Sequence, residues 1–182
     1  MALTPLFIEA ARLKEFSVIS ENLDNKLLEP TIIAVQDLFL SDILGKDLYA
    51  ELKTQIDAST TTALNQTLLN DYIEPYLINK VISESVLDIT YKLRNKAIMT
   101  TGSDLGNVAN LTDLTKIQGQ YNNRAEGYRK LLIDYMCENG DDYPLYCPIN
   151  RESTIGGFYL GNKRVDYRHR YYENRPEKDC CD

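Results

Sequence analysis

Very few side chains in this sequence are placed to carry chemistry. The 182 residues hold one histidine, His169, and four cysteines. His169 lies in the run Lys163-Arg164-Val165-Asp166-Tyr167-Arg168-His169-Arg170-Tyr171-Tyr172. Nucleophilic catalysis needs a base within hydrogen-bond reach of an activated hydroxyl or thiol, and nothing in the pattern marks a partner for that imidazole. Cys137 and Cys147 are too far apart for a Cys-x-x-Cys motif, and Cys180 and Cys181 are adjacent. With one imidazole available, neither a zinc site nor a disulfide framework is indicated, and the four read as ordinary thiols. Asp37, Asp42 and Asp47 recur every five residues, a spacing that does not stack carboxylates on one helix face. They read as solvated charges rather than metal ligands. Gly156-Gly157 and Gly161-Asn162-Lys163 lack the Gly-Lys-Ser/Thr and following helix of a phosphate loop. The expectation is a protein that is not an enzyme, with no catalytic residues, cofactor or metal.

What the residues do suggest is recognition. From Arg164 the chain alternates strictly, with Val165, Tyr167, His169 and Tyr171 on one side and Arg164, Asp166, Arg168 and Arg170 on the other. Period two is the mark of a strand, here with an aromatic and a cationic face. Phe158-Tyr159-Leu160 precedes it across Gly161-Asn162, a pair that tolerates the positive φ of a two-residue hairpin turn. A lone hairpin is marginal in water and needs a supporting surface. Tyrosine and arginine are favoured anchors of protein interfaces. The expected partner-binding set is therefore Tyr159, Lys163, Arg164, Tyr167, Arg168, Arg170, Tyr171 and Tyr172.

Charge helps to choose the partner. The net charge is −7, but residues 1–150 carry 13 basic and 21 acidic side chains while residues 151–176 carry six basic and three acidic. An acidic body is poorly suited to gripping phosphates. A basic arm suits an acidic protein surface, including that of a neighbouring copy. The same cationic and aromatic mixture could hold single-stranded nucleic acid by charge and stacking, so a small nucleic-acid-binding regulator is the alternative.

The elements that must position this arm read as helices. The length suits one domain with an appendage. No apolar run approaches the ~20 residues of a membrane span, and the N-terminus lacks the basic and apolar regions of a signal peptide, so the default compartment is the cytoplasm. Pro5–Ile8 could be a short strand, followed by a short helix from Ala10 to Phe16. Residues 22–29 read as a turn that delivers Pro30 to the first position of a longer helix, on which Ile32, Val35, Leu38 or Phe39, and Ile43 share a face. Gly45 closes it as a C-cap. A second helix runs from Lys46 to Ile56 with Leu48, Tyr49, Leu52 and Ile56 together. After a polar loop, Leu64, Leu68, Tyr72, Leu77, Val81 and Ile82 mark another helix, kinked or broken at Pro75 and continuing through Val86, Ile89 and Leu93. Residues 95–110 read as a loop with a short strand at Ala97-Ile98-Met99. Asp113–Glu138 is the longest helix, stopped by Asn139-Gly140. In it Leu114, Tyr121, Tyr128 and Tyr135 fall seven apart beside Ile117, Ala125 and Leu132, a seam for a helix of the same bundle or of a second subunit. The fold class is mainly α: a helical bundle body over 1–140, and an extended C-terminal arm over 141–182 containing a β-hairpin.

Two stretches also carry a likeness to a known group. Leu27-Leu28-Glu29-Pro30-Thr31-Ile32, Ala34-Val35-Gln36 and Ile43-Leu44-Gly45-Lys46-Asp47-Leu48-Tyr49-Ala50-Glu51-Leu52 make up the first. Tyr135-Met136-Cys137-Glu138-Asn139-Gly140-Asp141-Asp142-Tyr143-Pro144-Leu145-Tyr146 is the second. Together they resemble the head-to-tail connector (adaptor) proteins of tailed bacteriophages, most nearly the ring proteins of crAss-like phages. The resemblance implies a helical subunit assembled into a homo-oligomeric ring, expected at 12 copies, beneath the portal protein in the virion neck. Such a ring extends the DNA channel without binding DNA specifically and docks a downstream neck or tail protein. It implies no catalytic residues. Assembly would begin in the host cytoplasm, with no membrane involved.

Overall fold

The computed structural model describes residues 5–94, 97–100 and 110–147. The chain beyond Cys147, with the hairpin expected there, lies outside them. The described residues are mainly helical.

The N-terminal segment enters as an irregular strap, not a strand, and leads to α1 (Ala10–Glu15). Then comes α2 (Asn25–Val35), which starts a full turn before Pro30. The reason is Asp24, whose carboxylate accepts the Lys26 N–H at 3.0 Å and caps the helix early. Pro30 thus sits inside the helix rather than at its first position, and the carbonyl it leaves unbonded belongs to exposed Lys26. The helix runs on through a π-helical segment, Gln36–Leu40, into α3 (Ser41–Leu44). There the Ser41 N–H reaches back five residues to the Gln36 carbonyl. Gly45 ends it at φ 79°, ψ 162°, as its C-cap role required, and α4 (Lys46–Asp57) follows at once.

The second half is a helical hairpin. α5 (Ala63–Thr67), capped by Thr62, passes through a π-helical segment, Leu68–Ile73, into α6 (Glu74–Thr90) without a break. Of the kink or break expected at Pro75 there is no break: the helix passes through that π turn, in which the Glu74 N–H bonds to the Leu69 carbonyl. Widening the ladder just before the proline accommodates its ring and missing donor. α6 stops at Thr90 because β1 (Tyr91–Arg94) pairs antiparallel with β2 (Ala97–Thr100), Leu93 opposite Ile98. Leu93 is therefore in a strand and not on the helix, while the expected strand at 97–99 is present. Asn110 then caps α7 (Leu111–Glu138), 28 residues or ~42 Å long.

α7 lies antiparallel along α6, as Lys80 meets Asn122 and Ser83 meets Gln118, and α2 also packs on α6. Leu28, Ile32, Leu40, Leu52, Leu68, Leu77, Leu132 and Met136 form part of one continuous core. The buried positions of α7 are Leu114, Ala125, Leu132 and Met136. Their steps of eleven, seven and four follow a straight helix, not a strict heptad. The tyrosine seam is therefore split, with Tyr121 and Tyr135 half-buried and Tyr128 exposed.

Candidate interaction surface

Every expected partner-binding residue, Tyr159, Lys163, Arg164, Tyr167, Arg168, Arg170, Tyr171 and Tyr172, lies outside the described residues. The structure does describe the place from which that arm departs. Asn139 closes α7, and residues 141–147 fold back over its last turn, with Tyr143 and Tyr146 buried in the core. Tyr72 stacks on Tyr135 at 4.0 Å between ring centroids, and Tyr143 meets Tyr135 edge-on at 6.0 Å. The Tyr143 hydroxyl donates to the Leu64 carbonyl at 3.2 Å and lies 3.3 Å from the Tyr135 hydroxyl. Burial, then the Tyr135 hydrogen bond, push the Tyr143 phenol well above its ordinary range. The segment ends on Gly45, where a Cβ would overlap the Cys147 carbonyl. Gly45 thus has two reasons to be glycine, its φ of 79° and the backbone lying on it.

The N-terminal strap is seated differently. Gln36, fully buried in the first π-helical segment, pairs with it through both ends of its amide. It accepts the Phe7 N–H at 3.2 Å and donates to the Pro5 carbonyl at 3.1 Å. Phe7 stacks on Tyr49 at 5.2 Å, and the Tyr49 hydroxyl donates to Asp37, which also holds Lys53 at 3.1 Å. Burial and the Asp37 contact raise the Tyr49 phenol. Asp37 is therefore tied into a local network, not simply solvated. No sequence pattern singled out Gln36, since one glutamine on an apolar helix face carries no signal of a strap 31 residues away.

The two borders of α7 also differ. On one, Lys80 donates to Asn122 at 2.9 Å, pairs with Glu84 at 2.9 Å and sits 4.2 Å above the Phe39 ring. On the other, Ile117, Tyr128 and Leu131 are 40%, 39% and 55% exposed. Arg124 lies among them, 5.0 Å from the Tyr121 ring. It makes no ion pair with any described residue. Apolar and aromatic groups around an arginine make a surface suited to protein contact.

Among the described residues no cluster of His, Cys, Asp and Glu could hold a metal. None of their helices is long and apolar enough to cross a membrane. Cys147 is an exposed free thiol.

Among known proteins, no curated sequence and no solved structure matches the chain. A family profile matches residues 40–153, from the end of the first π-helical segment through the hairpin and past the arm root. More than half of the sequence is covered, and the chain belongs to the Family of unknown function (DUF6712).

Proposed function

We propose that this chain is a structural head-to-tail connector subunit of a tailed phage, forming a ring beneath the portal. The ring extends the DNA channel, and the C-terminal arm docks on the portal or an adjacent subunit while a neck or tail protein binds below. The observation that carries the reading is where the connector-like stretches meet. Residues 43–52 and 135–146 are far apart in sequence, yet the second leads directly to Cys147, which rests on Gly45 in the first. The shared motifs thus lie at the seat from which the arm leaves the body. A firm seat with a segment rich in aromatic and cationic residues beyond it suits attachment to a partner. The acidic body suits a channel that passes DNA without holding it.

The experiment is to delete residues 148–182, which keeps the buried root. The truncated protein should retain its helical content and unfolding midpoint but lose stable attachment to portal-containing particles. Undiminished attachment would overturn the role given to the arm. The regulator alternative rests on the basic run 163–172, and it requires DNA binding that weakens steeply with salt.

A further inference from the structure

We infer that the open border of α7 is one half of a subunit–subunit contact, and that its other half is the Leu38 face of the next copy. The inference deepens the ring reading and rests on it. A head-to-tail contact needs two different complementary faces on one subunit, placed on different sides so that copies can continue round. α7 supplies the first, Ile117, Arg124, Tyr128 and Leu131. The second is Leu38, 63% exposed on the first π-helical segment and next in sequence to Asp37 and Phe39.

Helix geometry separates the two faces. At ~100° per residue, Asn122 lies between about 120° and 180° round α7 from Ile117, Arg124, Tyr128 and Leu131. Lys80 links Asn122 to the Phe39 ring, so the π-helical segment lies on the α7 border away from the open one. The chemistry is complementary as well. The open border offers apolar groups around a cation without an ion partner among the described residues. The opposing face offers an exposed leucine beside Asp37, a half-exposed carboxylate that also holds Lys53 and Tyr49, on a body half that is net acidic: residues 5–94 carry 14 acidic and eight basic side chains. A second copy of this chain therefore meets both the apolar and the electrostatic requirement.

Gly127 agrees with a close approach at this border. It is exposed, one residue before Tyr128 and one turn before Leu131, and a Cβ there would touch nothing within 4 Å. Nothing described within the subunit needs glycine at that point, although glycine weakens a helix relative to alanine.

The test uses the full chain and native mass across a concentration series. Leu38→Glu alone and Leu131→Lys alone should each raise the concentration needed for assembly about tenfold or more, the effect of losing one interface anchor. The double variant L38E/L131K should recover most of that loss, because each contact then opposes a glutamate and a lysine. Circular dichroism checks that all three keep their helical content. Leu64→Glu, exposed but on neither face, should assemble as the parent does. If the parent forms a closed ring that Leu131→Lys leaves intact, or if the double variant gives no recovery, this pairing of faces is wrong while the ring reading stands. A parent that stays monomeric throughout overturns both.

Discussion

The two ends of the described chain are both laid across helices, but by different physics. The entering strap, residues 5–8, is held by two hydrogen bonds to one buried amide, by one ring stack and by Ile8, which is buried in the core. The leaving root, residues 141–147, is held by two buried tyrosines and by the absence of a side chain at Gly45. Hydrogen bonds exchanged against water contribute modestly to stability, whereas displaced aromatic surface and excluded volume contribute more. The strap sets one buried aliphatic side chain against the root's two buried rings, so the root is expected to hold the more firmly. That suits the docking role proposed for the segment beyond it.

The comparison breaks most readily at the root. Tyr143→Ala removes a ring from the core together with its bond to Leu64, and should cost about 3–5 kcal/mol in denaturant unfolding. A loss below about 1 kcal/mol would show that the root contributes little to the body. Gly45→Ala should come next. Its backbone conformation alone costs a non-glycine residue about 1–3 kcal/mol, and the overlap with Cys147 adds to that. Protease cleavage within 141–147 should accelerate in this variant, and unchanged cleavage would separate Gly45 from the root.

Gln36→Met sharpens the other half of the comparison. It keeps the shape of the side chain but loses both bonds to the strap, about 1 kcal/mol each. Amide exchange at Phe7 should quicken by more than exchange in α7, and a uniform change would mean that strap and body open together.

The smallest expected effect lies in alkali. Tyr143 and Tyr49 both have phenols raised above the ordinary value near 10, so the folded state holds their protons more firmly than the unfolded chain does. Their contribution is fully present below about pH 10 and is lost as pH rises beyond it. Stability should be flat with respect to these groups from pH 7 to 9 and fall above 10. Tyr143→Phe and Tyr49→Phe should each lessen that fall, measured as the unfolding midpoint against pH. A steeper fall in either variant would contradict the burial argument.

Much of the helical body was legible from local signals, and its misreadings have local causes. Gly45, Asn139 and the limits of α4 and α7 follow from caps and periodicity. Pro30 signals a helix start and Pro75 a kink or break, yet a cap one turn earlier and a π turn just ahead let the helix pass through each. The seven-residue spacing of the α7 tyrosines points to one seam, but the buried positions step by eleven, seven and four, and Tyr128 is exposed. The expected binding residues of the arm were legible as an alternating pattern, while the seat of that arm was not. Tyr143 follows the end of helical periodicity, and only its contacts with Tyr135 and Leu64 join it to the body.

By itself, the sequence determined a mainly helical chain, the stops at Gly45 and Asn139, an acidic body, and a C-terminal segment rich in tyrosine and arginine. These depend on φ preferences, side-chain caps, charge and the period of apolar residues, all of which act over a turn or two. Tertiary structure alone decided that Gln36 receives the strap, that Cys147 rests on Gly45, and that one border of α7 is sealed by Lys80 while the other stays open. Each of those depends on which distant groups share a surface, and such pairings arise only when the whole core closes.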